Sequence, residues 1–568
     1  MTLAELKKNL KTRWPSLSYA YTSGRYLHEI KQTANLISRI IDSTETLSSS
    51  NSRGTVVINS VRTYIPIQVT TESMLALKLR QRGYRVVMLY DDNVLVHHDS
   101  LYKADYSPRQ TYYPMRRKLS LHLLRRLEPM AQMLTPYSRL LPACELKEER
   151  READEAGGRF LGVELQPFIR DSLVRFFVSV PDEKLLSDEP EYDEIRQMFR
   201  DNCILSLKVA QQVHEVYKPD MVVTSHGIYT TWGPFMNYMV NQGVRAVTCG
   251  CNVFNINGLD LAVNQVAAAK SDDGYLDHFV NNVLDRDISS RAVVNRVDQY
   301  MEQRFAGASR DTQRLRHGED DAQEILSKIE QAKDCGRRVF AMFPNIMWDS
   351  ATTFKDWNRV FDSPVQWLVE TARHFAAADD MTLVIRVHPG EHTVTHVRRS
   401  VRDILEHYLG PEIFANPNII FIPASARLPS YRLFDYIQAG LVYNGTIALE
   451  LIHYGKPVII GARAAYSDKG FTYDIVGRDR YFEAFECTDD ILRIQTEGRD
   501  MARYFIYEYF FLHGVPVELM SSKRFLFPNV GGDPHRIWND RNLDHIVSVM
   551  VGEEKYFQDY WRKTGDTR

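Results

Sequence analysis

Long apolar runs are the first thing this chain lacks. Its most membrane-like segment, YFIYEYFFLHGVPVELM from Tyr504 to Met520, is interrupted by Glu508, His513 and Pro516 and is too short to span a bilayer. We read it as an aromatic helix packed on a domain. Cysteine is scarce as well, with six among 568 residues. Cys144, Cys203, Cys249, Cys251, Cys335 and Cys487 are scattered, and their closest spacing is C-x-C. No zinc motif has that spacing and a core of this size needs no disulfides, so reduced, mostly buried thiols are expected. Charge of a single sign is missing too. The formal net charge is −3 with Lys and Arg spread along the chain, which gives no support to nucleic-acid binding as the main role. No internal repeat of solenoid length appears. The opening MTLAELKKNLKTRWPS puts charges where an export signal needs an apolar core. A cytoplasmic protein is therefore expected, with peripheral contact at the inner face of the plasma membrane left open.

What is present describes an ordinary globular protein. Hydrophobic residues make up 44% and charged residues 25%, enough for two large domains or three smaller ones. Residues 1–54 read as a helical segment ending in a linker, STETLSSSNSRG. TVVIN, a helical stretch closing on Gly83, and YRVVMLY then form a β-α-β unit of parallel type. The α/β rhythm breaks over about 100–212, where KEERREADEAGG reads as a solvated insertion, and returns at PDMVVTSHGIYTTWGPFMNYMVNQGVRAVTCG. A first Rossmann-like domain thus covers 55–300, a linker and helix 301–334, a second Rossmann-like domain 335–500, and closing helices 501–568. The fold class is α/β, two doubly wound parallel-sheet domains facing a cleft. Ligands of open α/β sheets bind at the carboxyl ends of the strands, so the residues there are the candidates.

In the second domain those ends are PNIMWDS with Asn345 and Asp349, HPGE with Arg386 and His388, then Ser425, and then Gly445-Thr446. Proline after His388 fixes the direction in which the imidazole leaves the strand, and a histidine there can donate to a phosphate or protonate a leaving one. Arg386, two residues earlier, shares its face and suits either a phosphate clamp or a salt bridge. Gly445-Thr446 opens a helix whose N–H groups favour an anion. Glu450, one turn in, suits two ribose hydroxyls, or else pairs with a lysine such as Lys456 while Asn444 caps the helix. In the first domain SHGIYTTWGP offers His226 as an acceptor-activating base, with Tyr229, Thr230 and Trp232 shaping an acceptor pocket; a packed turn histidine is the alternative. His97, His98 and Asp99 lack further metal ligands at useful spacing, and the Asp285–Asp287 D-x-D lacks a strand context. No metal and no cofactor are expected.

YNGTIALELIHYGKPVIIGARAAYSDKGFTYD, with RVHPGE and FPNIMWDS upstream, resembles the bacterial capsule polysaccharide biosynthesis proteins, a group that includes capsule Kdo transferases. The resemblance covers roughly 335–490 and extends weakly to SHGIYTTWGP. It implies a GT-B glycosyltransferase that takes a nucleotide-sugar donor and a glycan or lipid-linked glycan acceptor without metal, alongside other polysaccharide-assembly proteins. By it His388 contacts the donor phosphates, and Thr446 and Glu450 the nucleotide. The helical N-terminus and the first-domain insertion depart from the Kdo transferases, so CMP, UDP, GDP and CDP donors all stay open. A sugar-nucleotide 2-epimerase of the same architecture and a catalytically inactive scaffold are the competing readings.

Overall fold

In a computed structural model, residues 15–42, 53–61, 66–92, 94–95, 133–141, 146–252, 258–264, 275–308, 322–349, 360–393, 397–512, 514–517, 519 and 529–555 are described. The linker reading at 43–52, most of the inter-domain segment at 309–321, and His97, His98 and Asp99 fall outside them. The chain divides into two units that interleave in sequence: 1–168, 198–267 and 514–560 form the first, 169–197, 268–513 and 561–568 the second.

The first unit begins with helix α1 (Pro15–Asp42) and is organised by β1 (Thr55–Asn59), whose Val56, Val57 and Ile58 are fully buried. Helix α2 (Pro66–Gln81) stops where Gly83 turns left-handed (φ 87°) and donates to Arg80 O, as a C-terminal glycine does. β2 (Arg85–Tyr90) then returns parallel to β1, and β3 (Leu134–Pro136) extends the same edge. On the other side β1 pairs in parallel with β4 (Met221–Ser225), and β4 with β5 (Arg245–Asn252), the two joined through α5 (Tyr229–Asn241). β6 (Gly258–Val263) is antiparallel to β5, and the two-residue strand Val515–Pro516 is antiparallel to β6. The seven-stranded order is 515–516, β6, β5, β4, β1, β2, β3, so the winding reverses between β1 and β4.

One feature refines the sequence reading and another corrects it. The polar run KEERREADE is solvated, with most of its side chains exposed, and it forms a helix, α3 (Lys147–Glu155), fastened to α4 (Tyr192–Tyr217) by charge. Arg150 grips Asp201 with two nitrogens at 2.8 and 2.6 Å, Arg200 meets Asp154 at 2.5 Å, and Lys208 pairs with Glu149. The C-terminal helices also do not form one closing segment. Residues 514–555 belong to the first unit, where Lys78, almost fully buried, holds Asp544 at 2.7 Å on helix Arg541–Val551. Arg245 caps that helix by donating to Met550 O (2.7 Å) and Val549 O (3.1 Å).

The second unit contains α6 (Ser290–Phe305) and a five-stranded sheet that is parallel throughout. The domain boundary read near residue 300 therefore falls inside a helix of this unit. β7 (Arg338–Phe343) is central; α7 (Pro364–Ala376), capped by Ser363, leads to β8 (Met381–Arg386), and α8 (Val401–Leu409) to β9 (Ile419–Ile422). Helical spacing suggests that α8 starts at Val394, but the capping box of Ser400 with Asp403 starts it at Val401. β10 (Ala439–Val442), α9 (Ile447–Tyr454) and β11 (Val458–Ile460) complete the order β9, β8, β7, β10, β11. Here the winding reverses between β7 and β10. Trp367, Phe340, Phe375, Tyr481 and Phe485 fill the core beneath the sheet, with Trp367 Nε1 donating to Tyr481 OH at 2.7 Å. Helix α10 (Arg499–Tyr507) and the π turn after it pack the aromatic run against α6, with Tyr300 5.2 Å from the Phe511 ring.

Candidate functional site

Reversal of the winding leaves a crevice at the strand ends, where open α/β sheets bind ligands. In the second unit the loops after β7 and β10 meet at that point. Asn345 Nδ2 donates to Asn444 Oδ1 at 2.8 Å, and Asn345 Oδ1 is buried without a partner among the described residues. Gly445 follows, with Asn345 Oδ1 3.5 Å from where a β-carbon would stand. Thr446 is the N-cap of α9, and no side chain caps the helix's first turn. Residues 444–447 are half-buried. Tyr466, fully buried, donates to Gly445 O at 2.9 Å and so braces the turn from behind.

The loop after β8 joins this constellation through β7. A β-carbon on Gly390 would come within 2.8 Å of His388 Nδ1 and 3.0 Å of Ile346 Cδ1. His388 Nδ1 accepts from Gly390 N–H at 2.9 Å, which assigns the ring proton to Nε2. Burial, and then the Arg386 guanidinium, push its pKa down to about 4, so the resting imidazole is a neutral donor. Nearby, burial raises the Glu391 carboxyl to about 7, against a hydrogen bond from Val401 N–H and with repulsion from Asp403 adding to the rise.

Arg386 and Glu450 are placed otherwise than expected. Arg386 is buried, and its guanidinium donates to Pro423 O (2.8 Å), Leu428 O (3.0 Å) and Ala426 O (3.3 Å), so it holds the loop after β9 together instead of facing a phosphate. Glu450 is buried with Oε1 2.6 Å from Arg304 Nη2 on α6. Neither ribose contact nor the Lys456 pairing describes it, since Lys456 donates to Ile437 O. Asp349 and Ser425 lie exposed on their loops. Of the residues named from sequence, the structure brings Asn345 and Gly445 together, with Thr446 next in the turn, while His388 lies on the loop after the neighbouring strand β8. Sequence reasoning missed Tyr466, although the Y-x-x-K-G-F-T loop carried the signal.

At the reversal point of the first unit, His226 follows β4 and is exposed. Its ring lies on the Trp232 ring at 5.4 Å and 10°, and Ser225 Oγ contacts its Nδ1. Tyr229, Thr230 and Trp232 do not shape an open pocket: they are 5%, 0% and 0% exposed and belong to the core of α5. Asp285, of the D-x-D, is spent in a turn, accepting from Ser290 N–H at 2.7 Å. The described residues hold no group of three or more His, Cys, Asp or Glu placed to share a metal ion.

Residues 289–490 match the family model of the capsule polysaccharide biosynthesis proteins. The capsule-synthesis segment takes in every residue of the second-unit constellation, while His226 lies outside it. No curated protein matches the chain. Among solved structures, the KpsC beta-Kdo 2,7 transferase of Thermosulfurimonas dismutans aligns at 13% identity and TM-score 0.30, over 59% of this chain and 89% of its own. S. aureus MnaA, in a co-structure with UDP, aligns at 12% and 0.25, over 80% and 96%. The UDP-GlcNAc 2-epimerase of Neisseria meningitidis, bound to UDP-GlcNAc, aligns at 12% and 0.20, over 88% and 100%. Among the described residues no helix is long and apolar enough to cross a membrane.

Proposed function

We propose that this protein is a glycosyltransferase that moves a sugar from a nucleotide-sugar donor to a growing surface glycan, capsule or a related polysaccharide. One observation carries the reading: the capsule-synthesis match spans a helix start, free of any side-chain cap, at the reversal point of a parallel sheet. In this reading the donor phosphates rest on the first N–H groups of α9, where unpaired dipoles favour an anion. His388 donates to them through Nε2. An anion beside it offsets the depression of its pKa, so the imidazole gains a proton as charge builds on the departing phosphate. Helix dipole and imidazole together meet the phosphate charge in this scheme, without a metal ion. The acceptor glycan is assigned to the first unit, at His226.

Thermal melts of the full chain with CMP, UDP, GDP and CDP test the donor site. A matching nucleotide at 100 times its Kd stabilises by about 2.7 kcal/mol. Failure of all four to bind would overturn the proposal. With the matching sugar nucleotide alone, conversion to an isomer would identify a 2-epimerase; release of nucleotide only when a glycan acceptor is present supports transfer.

A further inference from the structure

The last row of side chains on one face of the first sheet breaks the pattern beneath it. Side chains alternate between faces along a strand, so parallel strands in register line each face with partner residues. One such row, Val87, Val57, Val222 and Ala246, is apolar across β2, β1, β4 and β5. Two residues further on the row reads Leu89, Asn59, Thr224 and Thr248; Asn59 follows Ile58, whose partner is Val223, and so stands beside Thr224. β1 and β4 are the strands between which the winding reverses, so this pair stands where an open α/β sheet takes its ligand.

Asn59 and Thr224 are 0% and 2% exposed. Each holds a buried polar atom, Asn59 Nδ2 and Thr224 Oγ1, that has no partner among the described residues. The orientation of the amide is fixed by Tyr137. Burial, and then the Asp91 carboxylate, hold the Tyr137 hydroxyl well above its ordinary range, so it stays protonated and donates to Asn59 Oδ1 at 2.6 Å. The amide oxygen is spent on it and the NH2 group is left over. Polar groups next along the chain are satisfied internally, since Ser60 Oγ and Gln68 Nε2 both donate to Glu72. Leaving a buried donor unmet costs more than a typical hydrogen bond returns, so an apolar pair would serve a purely structural row better. We propose that Asn59 and Thr224 form a subsite for a hydroxyl group of a bound sugar, whose oxygen accepts from Asn59 Nδ2 while it hydrogen-bonds Thr224 Oγ1. A hydroxyl suits both because it accepts and donates at once. An anionic oxygen suits them less: the charge acting on neighbouring Tyr137 is already negative, and two neutral donors do not offset burial of another. That the sugar is the acceptor glycan rests on the glycosyltransferase reading; the subsite does not.

Two measurements on the full chain test the subsite without any sugar nucleotide, so their outcome is independent of whether the chain transfers a sugar. Thr224→Val keeps the shape and removes only the hydroxyl. If that hydroxyl waits for a ligand, the melting temperature should hold or rise. A fall of about 2 °C or more would show that a resident water or another partner already satisfies it, and overturns the proposal. Glycerol and the methyl glycosides of glucose, galactose and mannose serve as probes in the second measurement. With asparagine side chains labelled with nitrogen-15, the Asn59 amide signal is identified by its loss in Asn59→Leu with Tyr137→Phe, a pair that strands no partner. That signal should shift saturably with at least one probe. Thr224→Ser should keep the response, and Thr224→Val should weaken it about two- to tenfold. No saturable shift with any probe, or an equal response in Thr224→Val, overturns the subsite. In the transfer assay Thr224→Val should raise the acceptor KM by a similar factor and hold kcat within about twofold, because the contact is made alike in ground and transition states. A change confined to the KM of the sugar nucleotide overturns the assignment to the acceptor.

Discussion

Glu450 separates a structural from a nucleotide-binding role in one experiment. Its carboxylate lies 2.6 Å from Arg304 Nη2, with side-chain exposures of 4% and 9%. Arg304 Nη1 donates to Tyr300 OH at 3.0 Å, and the guanidinium sits 5.5 Å from the Tyr300 ring centre and 6.0 Å from that of Phe510. Removing one partner of such a pair strands the other charge in the interior, at about 3–5 kcal/mol. For a unit of this size each kcal/mol moves the melting transition by about 2–4 °C, so Glu450→Ala should lower Tm by roughly 6–20 °C. Replacing both partners by apolar residues of similar bulk, Arg304→Met with Glu450→Leu, should return most of the loss, since the desolvation penalty disappears with the charges. Calorimetry of the full chain reads the melting. Nucleotide titration well below the transition reads the site. The ribose reading predicts the reverse pattern for Glu450→Gln: an unchanged Tm and affinity lower by about 1.5–3 kcal/mol, the worth of charge-assisted bonds. That pattern would refute the structural assignment.

Other perturbations have signs fixed by the same geometry. Tyr466→Phe removes the donor to Gly445 O and should weaken nucleotide binding by about 1 kcal/mol through a loosened α9 start; unchanged affinity in an isothermal titration would count against the brace. Asp544→Ala leaves the buried Lys78 ammonium with only the neutral acceptors Gln81 Oε1 and Trp538 O, and should release the 541–551 helix to limited proteolysis more readily than Lys78→Met, which removes the charge itself; equal susceptibility would contradict the clamp. His388 and Glu391 pull the pH dependence in opposite directions. The His388 pKa falls from 6.5 to about 4 on folding, so its contribution is present above pH 6.5 and is lost as pH drops toward 4. The Glu391 pKa rises from 4.5 to about 7, so its contribution is present below pH 4.5 and is lost as pH climbs toward 7. Melts across this range should therefore give Glu391→Gln a Tm that falls on acidification and His388→Asn a Tm that falls on alkalinisation; parallel curves would refute both assignments.

How much could be read beforehand follows from the range over which each interaction acts. The alternation of strand and helix is local, and it shows the parallel strands of both sheets and the residues at their carboxyl ends, but not the antiparallel strands β6 and Val515–Pro516 at the edge of the first. The Asn345–Asn444 pair joins loops 99 residues apart, and Arg304 meets Glu450 across 146; nothing in either neighbourhood marks its partner. Arg386 misled for a different reason. Period-two spacing places it on one face with His388, but both faces of a parallel sheet are covered, so sharing a face does not mean sharing a ligand. The assignment of 514–555 to the first unit was illegible because the strand that anchors it, Val515–Pro516, is two residues long and has no pattern of its own.

The fates of the candidates at the second reversal point then separate by charge. Arg386 and Glu450, the fully charged ones set deepest, are consumed by carbonyls and by a counter-ion, because a buried charge must be paired before it can be afforded. The donors at the strand ends are neutral or only partly charged: backbone N–H groups at Gly445-Thr446, the Asn345 amide, and an imidazole held uncharged by burial. Such donors cost little to keep desolvated while the site is empty, and they gain strength when an anion arrives in a low-dielectric place. In the first unit the His226 ring stacks on Trp232 at a strand end, with Ser225 Oγ against its Nδ1. Charge in the second unit is thus directed inward to hold loops and helices, and neutral donors are left at its reversal point.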